Sequence, residues 1–278
     1  MKEIQKEIYP LNLEDVGRIE LIGYGGEVSV FSGNEIPELE IFRKGKIQIH
    51  IEKKKNVLRI STETSLFSSE SAEARIHLKI PEGMEIKILG ESVPVRMKGS
   101  FGNVRIIGNE GDIRLEDASG SFSIISAKGD IVLRNLQGEV SASTQDGDII
   151  AHCIFGKYKL ISSTGTMTLS EGEGSFTLFS KYVLRIRDVR FRKGLENRLY
   201  CKGGIHLSGL SSLDPSVIHI SAPAGKISTE LGGFGISGSG RRMIATSFGP
   251  EPSMLRLHSD EEVFISSSDR FGMSRIAV

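Results

Sequence analysis

Between residues 102 and 174 a glycine returns every ninth residue, at 102, 111, 120, 129, 138, 147, 156, 165 and 174. No other feature constrains the fold of this chain so tightly. Counting each glycine as position zero, positions +2 and +4 read Val104/Ile106, Ile113/Leu115, Phe122/Ile124, Ile131/Leu133, Val140/Ala142, Ile149/Ala151, Tyr158/Leu160, Met167/Leu169 and Phe176/Leu178. Two upstream units keep the register without the glycine, as Ile86/Ile88 and Val95/Met97, so all 22 slots are apolar. With 38% of the chain apolar, a fixed frame would do this by chance about once in a billion. Alternation at +2 and +4 is a strand period, because neighbouring side chains of a strand point to opposite faces.

The units are of two kinds. Those at 102, 120, 156 and 174 carry an apolar residue at +5 (Ile107, Ile125, Ile161, Phe179), whereas those at 111, 129 and 147 carry it at +7 (Ala118, Leu136, Ile154). The true repeat is therefore eighteen residues in two unequal halves, each a short strand and a corner. One such strand cannot bury its apolar face alone, but stacked copies bury a continuous core. The pattern predicts an all-β fold, a parallel β-helix or solenoid with coils rising about 4.8 Å each. Glycine suits the corners because it reaches positive φ without steric cost.

The 278 residues are expected to form one elongated body of roughly 12–14 coils, about 60 Å long. Within it, residues 1–72 read as irregular N-terminal coils or a small antiparallel cap, 73–230 as regular coils, and 231–278 as a glycine-rich excursion and C-terminal cap. The first sixteen residues read as a short helix or an irregular lead-in, and the serine-rich 62–73 as a loop. After Phe179 one residue drops out of the rhythm, and Tyr182 takes the glycine slot. The segments MLRLH and EVFIS read as closing strands over the far end.

Charge excludes several functions. The 35 basic and 35 acidic residues balance, which argues against a nucleic-acid binder or a polybasic membrane reader. Tryptophan is absent. Cys153 and Cys201 are too few for a disulfide scaffold, form no CxxC, and are expected as buried thiols. The opening MKEIQKEIYPLNLEDVG lacks the apolar core of a secretory signal, and no run is long enough to span a membrane. These points lead to an expected cytoplasmic location, the alternative being attachment to a cell surface or membrane through a partner.

The run ARIHLKIPEGMEIKI, followed by GDIRL, GDIVL and GDIIA, resembles the DUF4097 family of adhesin-like proteins, and is similar to the related GIN head-domain proteins. The resemblance covers about residues 18–230 and is strongest over 72–180. It implies a right-handed β-helix, a bacterial origin and an adhesin-like role. It implies no catalytic residues.

Candidate chemistry is sparse. Asp112, Asp130 and Asp148 follow their glycines at eighteen-residue spacing, so they should stack in one column. Turn chemistry, with each carboxylate bonding a nearby backbone N–H, is the favoured explanation. The glycine pattern of calcium-binding rolls is missing. Asp112, Asp130, Arg114 and Arg134 are the only cluster that could serve a polysaccharide lyase or hydrolase. Gly233, Gly235 and Gly238 match G-x-G-x-x-G, but no helix follows to hold a phosphate, so a flexible loop is expected, with Arg241 and Arg242 solvated beside it. His77, His206 and His219 alternate with apolar residues and should face outward. No H-E-x-x-H or G-x-S-x-G occurs, so neither metal nor cofactor nor catalytic residue is expected.

The sequence thus points to a non-enzymatic, rigid binding or scaffolding module that presents a polar face to a protein or surface glycan, with neither nucleic acid nor inserted membrane as partner. Two alternatives stand beside it: a bactofilin-like subunit that assembles into homo-oligomers through its ends, and a polysaccharide lyase or hydrolase.

Overall fold

The computed structural model describes residues 4–23, 26–45, 47–64, 73–192, 194–210, 216–239, 241–246 and 253–267. Strands account for 78% of these residues and helices for none of them, so the fold is all-β, and the sheet is not closed. Most of the serine-rich stretch expected as a loop lies outside the described residues. No helix among the described residues is long and apolar enough to cross a membrane. The chain divides into two compact units, Met1–Thr144 and Gln145–Val278.

The first unit contains β1 (Gln5–Pro10), β2 (Arg18–Gly23), β3 (Gly26–Ser32), β4 (Glu38–Lys44), β5 (Ile47–Lys54), β6 (Val57–Thr64), β7 (Glu73–Ile80), β8 (Glu85–Ser92), β9 (Val95–Glu110), β10 (Ile113–Lys128) and most of β11 (Ile131–Asp146). Parallel pairing sets equivalent positions opposite one another: Val95 faces Ile113, and Val104 faces Phe122, each pair eighteen residues apart. One stack runs Leu58, Ile19, Ile86, Val104, Phe122. A second runs Ile76, Val28, Val95, Ile113. Antiparallel strands close this end, with β4 on β7, β1 on β4, and β5 on β6. The edge strand β5 exposes Glu52, Lys53 and Lys54, charges that discourage further strand addition. Both early readings of this region therefore apply, since β2 and β3 add parallel rungs while β1, β4 and β5 cap. The lead-in is a strand, β1, rather than a helix.

The second unit contains β12 (Ile149–Ser162), β13 (Met167–Ser180), β14 (Val183–Phe191), β15 (Glu196–Cys201), β16 (Gly204–Leu210), β17 (Ser216–Ser221), β18 (Ile227–Glu230), β19 (Gly235–Ser239), β20 (Arg242–Thr246), β21 (Ser253–Ser259) and β22 (Val263–Ser267). Ile149, Met167, Leu184, Ile205, Val263 and Ile227 form one parallel stack. Leu160, Leu178, Leu199, Leu257 and Ile220 form another. Met167 and Leu184 are seventeen apart, which is the lost residue seen in the sequence.

Two placements differ from expectation. The closing strands β21 and β22 do not cover the far end. They lie between β15/β16 and β17/β18, pairing in parallel with both. Likewise β2 lies between β6 and β8. Each terminal segment is thus inserted between rungs that are its non-neighbours in sequence. The glycine-rich 232–240 stretch is not simply a loop: β19 and β20 form an antiparallel hairpin whose second strand pairs with β17.

All 22 inward slots are buried, none more than 3% exposed. The +5 residues point outward instead: Ile125 is exposed, and Phe179 stacks on Tyr200, which stacks on His258, with centroids 5.1 Å apart in both pairs. Corners are of two types. At Gly129 φ is +121°, and a Cβ would sit 2.5 Å from the Gly111 carbonyl oxygen, one repeat back. The second type uses non-glycine residues in the left-handed region: Asp117, Asn135, Cys153, Glu171 and Asp188, with φ of 48–55°. In three successive repeats a buried hydroxyl bonds a corner carbonyl. Thr144 Oγ1 donates to the Gly129 carbonyl at 3.0 Å, Ser162 Oγ to Gly147 at 2.8 Å, and Ser180 Oγ to Gly165 at 3.0 Å. Cys201 is opposite Ser180 in the same column and is fully buried, as expected of a core thiol.

Outside, parallel register brings like positions together, so charge must alternate. Glu20 is opposite Arg59 on one side and Lys87 on the other. A hydrogen bond from Arg59 Nη2 at 3.0 Å, helped by Lys87, holds the Glu20 carboxyl below the usual carboxylate range. Its contribution to stability is complete above the unfolded value of about 4.3 and is lost as pH falls through the lower folded value.

Two outcomes follow from this packing. Gly129→Ala should destabilise by more than the ~1–3 kcal/mol of a strained conformation alone, whereas Gly108→Ala, with open space around it, should cost under about 0.5 kcal/mol. Urea unfolding of the two variants checks this, and equal losses would contradict it. Unfolding free energies at about pH 7 and about pH 3 should differ less in Glu20→Gln than in the parent chain; an equal difference would show that Glu20 is not coupled to folding.

Candidate functional site: a basic cavity on the first unit

The outward faces of β3, β4, β7, β9 and β10 surround a cavity of about 590 Å³, within the range of small-ligand sites. Strand alternation creates it. Val28, Val30, Ile76, Leu78 and Met97 point into the core, so Ser29, Phe31, Arg75, His77, Arg96 and Lys98 point out. Six cationic side chains line it (Arg43, Lys44, Arg75, Arg96, Lys98, Arg114), against the carboxylates of Glu27 and Glu116. The chain is neutral overall, yet this surface is strongly positive.

Register sharpens the charge. Arg96 and Arg114 are directly opposite one another on parallel strands, where like charges repel. Arg96 Nε reaches Glu27 at 3.1 Å, Arg114 Nη2 reaches Asp112 at 3.4 Å, and Lys98 Nζ reaches Asp117 at 3.0 Å. Asn135 and then Lys98 hold the Asp117 carboxyl below its usual range by hydrogen bonding. Arg43 pairs with Glu7, but its Nε is buried without a hydrogen-bond partner. An orphaned donor of this kind carries a desolvation cost. Phe31 and Phe42 both pack against the His77 ring, with centroids 6.5 and 5.1 Å away, and give the cavity an aromatic wall. Glu40 joins this wall to Lys6 and His77, and the Lys6 hydrogen bond lowers its carboxyl.

Of the residues singled out in sequence, His77 and Arg114 line this cavity, and the others go elsewhere. Asp112 Oδ1 accepts the Asp130 backbone N–H at 3.1 Å, and Asp148 Oδ1 accepts that of Thr166 at 2.7 Å. Asp112 and Asp148 thus each tie a corner to the next repeat, a longer reach than a local turn. Of the four-residue cluster considered for polysaccharide chemistry, Arg114 meets Asp112 while Arg134 turns to Glu116 at 3.6 Å. His206 pairs with Glu262 and His77 with Glu40, both on the outside. Arg242 and His219 line a second cavity of about 480 Å³ in the second unit, beside the β19–β20 hairpin.

Cys153 departs from the expected buried thiol. It is half-buried at a left-handed corner, where desolvation and a hydrogen bond to Glu171 raise its thiol above the usual value. His152 and Glu171 are beside it. The sequence reading missed both this group and the basic cavity. The available signal for the cavity was cations at the outward positions of ARIH, VRMK and IRL, with Lys44 outward on β4.

No family model matches the chain, and no curated protein matches it. Among solved structures, the chain is similar to one described as a candidate adhesin from Bacteroides fragilis, at 14% identity and TM-score 0.36, covering 96% of this chain and 98% of the other. A candidate adhesin from Parabacteroides distasonis gives 10% and 0.37, covering 95% and 97%. A candidate cell adhesion protein from Clostridium sporogenes gives 12% and 0.26, covering 96% and 100%. Scores this low fix neither fold nor function, which rest on the chain's own geometry.

Proposed function

We propose that the chain is a right-handed parallel β-solenoid of about eighteen residues per coil, acting as a non-enzymatic, adhesin-like binding module whose basic cavity takes an anionic glycan. The eighteen-residue parallel registers support the solenoid, and the right hand follows from the preference of parallel crossovers. The observation that carries the function is the cavity itself, with six cations, two carboxylates and an aromatic wall. Carboxylate or sulfate groups of a sugar would answer the in-register Arg96 and Arg114, while Phe31, Phe42 and His77 offer flat apolar faces to the ring. A phosphate alone would leave the aromatic wall without a use. The lyase reading lacks support because the acids near the cavity are engaged with cations or backbone.

Calorimetric titration with uronate or sulfated oligosaccharides, beside neutral ones of equal length, tests this. Binding should be confined to the anionic sugars and weaken at least about tenfold between about 0.05 and 0.5 M salt. Arg75→Glu with Lys44→Glu should weaken it by a similar factor, and the sugar chain length should stay unchanged. Equal binding of neutral sugars, or binding indifferent to the charge reversal, would overturn the proposal; shortening of the chain would return the lyase reading.

A further inference from the structure

The second unit holds a group of side chains that the binding reading does not use. His152 and Cys153 are adjacent in β12, and strand alternation would send them to opposite faces. Cys153 breaks the alternation because its backbone is left-handed, at φ +53°. Ile154 then takes the inward place, and His152 and Cys153 both remain on the outside. One repeat on, Ser170 is opposite His152 in register, and Glu171 has the same left-handed backbone as Cys153. Two neighbouring repeats thus present a small square of His, Cys, Ser and Glu.

The contacts within it have a direction. His152 Nδ1 is 3.0 Å from Ser170 Oγ. With that nitrogen held by the serine, Nε2 faces Cys153 Sγ at 3.3 Å, and Sγ is 3.4 Å from Glu171 Oε2. The three ligand atoms all lie within 4.8 Å of one another. In a tetrahedral zinc site, with Zn–N and Zn–O about 2.0–2.2 Å and Zn–S about 2.3 Å, neighbouring ligand atoms lie about 3.5 Å apart. The two separations from Cys153 Sγ, 3.3 and 3.4 Å, match such a site, and the third is no more than 4.8 Å. Ser170 supplies the outer hydrogen bond that orients a metal-binding imidazole.

We propose that His152 Nε2, Cys153 Sγ and Glu171 Oε2 bind zinc, or another thiophilic divalent cation, with the fourth position open to water or to a ligand atom from a partner. Binding takes the cysteine as thiolate, so one proton leaves the thiol for solvent as the S–Zn bond forms. The donor set of one nitrogen, one sulfur and one carboxylate oxygen suits zinc and excludes magnesium and calcium, which take oxygen ligands. The assignment is independent of the basic cavity, which belongs to the other unit.

The test uses the full chain, stripped with a chelator and titrated with zinc by calorimetry in two buffers of different ionisation heat, and with cobalt by absorption. The expected result is one zinc per chain, about one proton released at about pH 7, and a thiolate-to-cobalt charge-transfer band. Cys153→Ala should abolish that band, His152→Ala and Glu171→Gln should weaken zinc at least about tenfold, and Ser170→Ala roughly tenfold as a positioning residue. Cys201→Ala, in the core, should leave all three readouts unchanged. Zinc should raise the melting temperature of the parent chain and not of Cys153→Ala, and the zinc-free melt shows whether each variant is folded. Absence of stoichiometric zinc binding by the parent chain overturns the proposal, as does zinc binding that Cys153→Ala and Glu171→Gln leave within twofold.

Discussion

The structure depends on one contact: the backbone of each corner pressed against the carbonyl of the repeat before it. At Gly129 the space a side chain would need is already occupied by the Gly111 oxygen, and at Gly120 by that of Phe101. So close an approach is what permits parallel hydrogen bonds between successive repeats, such as Ile113 N to the Asp130 carbonyl at 2.9 Å. Once register is set there, everything else is repeated by translation. Apolar residues fall on apolar residues, the buried hydroxyls of Thr144, Ser162 and Ser180 each find a corner carbonyl, and Asp112 finds the next backbone N–H.

Translation has a cost that shapes the outer surface. Parallel register places like on like, so an outward cation column repels itself unless an acid intervenes. Around Glu20 the chain solves this by alternation, with Arg59 and Lys87 on either side. Arg96 and Arg114 have no acid between them in register and are answered from the side by Glu27 and Asp112, and the cavity lies there. The same logic operates at Cys153 and Glu171, where two left-handed corners in successive repeats bring a thiol and a carboxylate within 3.4 Å.

Periodic information was legible in the sequence and non-periodic information was not. The inward slots from Ile86 to Leu178 and the slip at Tyr182 could be counted from the residues, because burial on one face imposes a strict two-residue alternation. The left-handed corners at Asp117 and Asn135 left a weak trace, since Asp and Asn tolerate that conformation; Cys153 and Glu171 left none. The insertion of β2 between β6 and β8, and of β21 between β15 and β17, has no local signature, because it joins segments tens of residues apart. The cavity was hidden by the balance of charge over the whole chain. Its cations are spread over β4, β7, β9 and β10, and only the pairing gathers them.

The central claim is that residues eighteen apart face each other in parallel. Disulfide trapping tests it directly, in a chain whose native cysteines are replaced by serine. Arg105 and Ser123 are opposite in register, and neighbouring strands about 4.8 Å apart are within the 4.4–6.8 Å Cα range of a disulfide. Arg105→Cys with Ser123→Cys should close to a disulfide under mild oxidation without loss of stability, while Arg105→Cys with Ser121→Cys, two residues out of register, should remain reduced. Closure of the second pair as readily as the first would contradict the register on which the account rests.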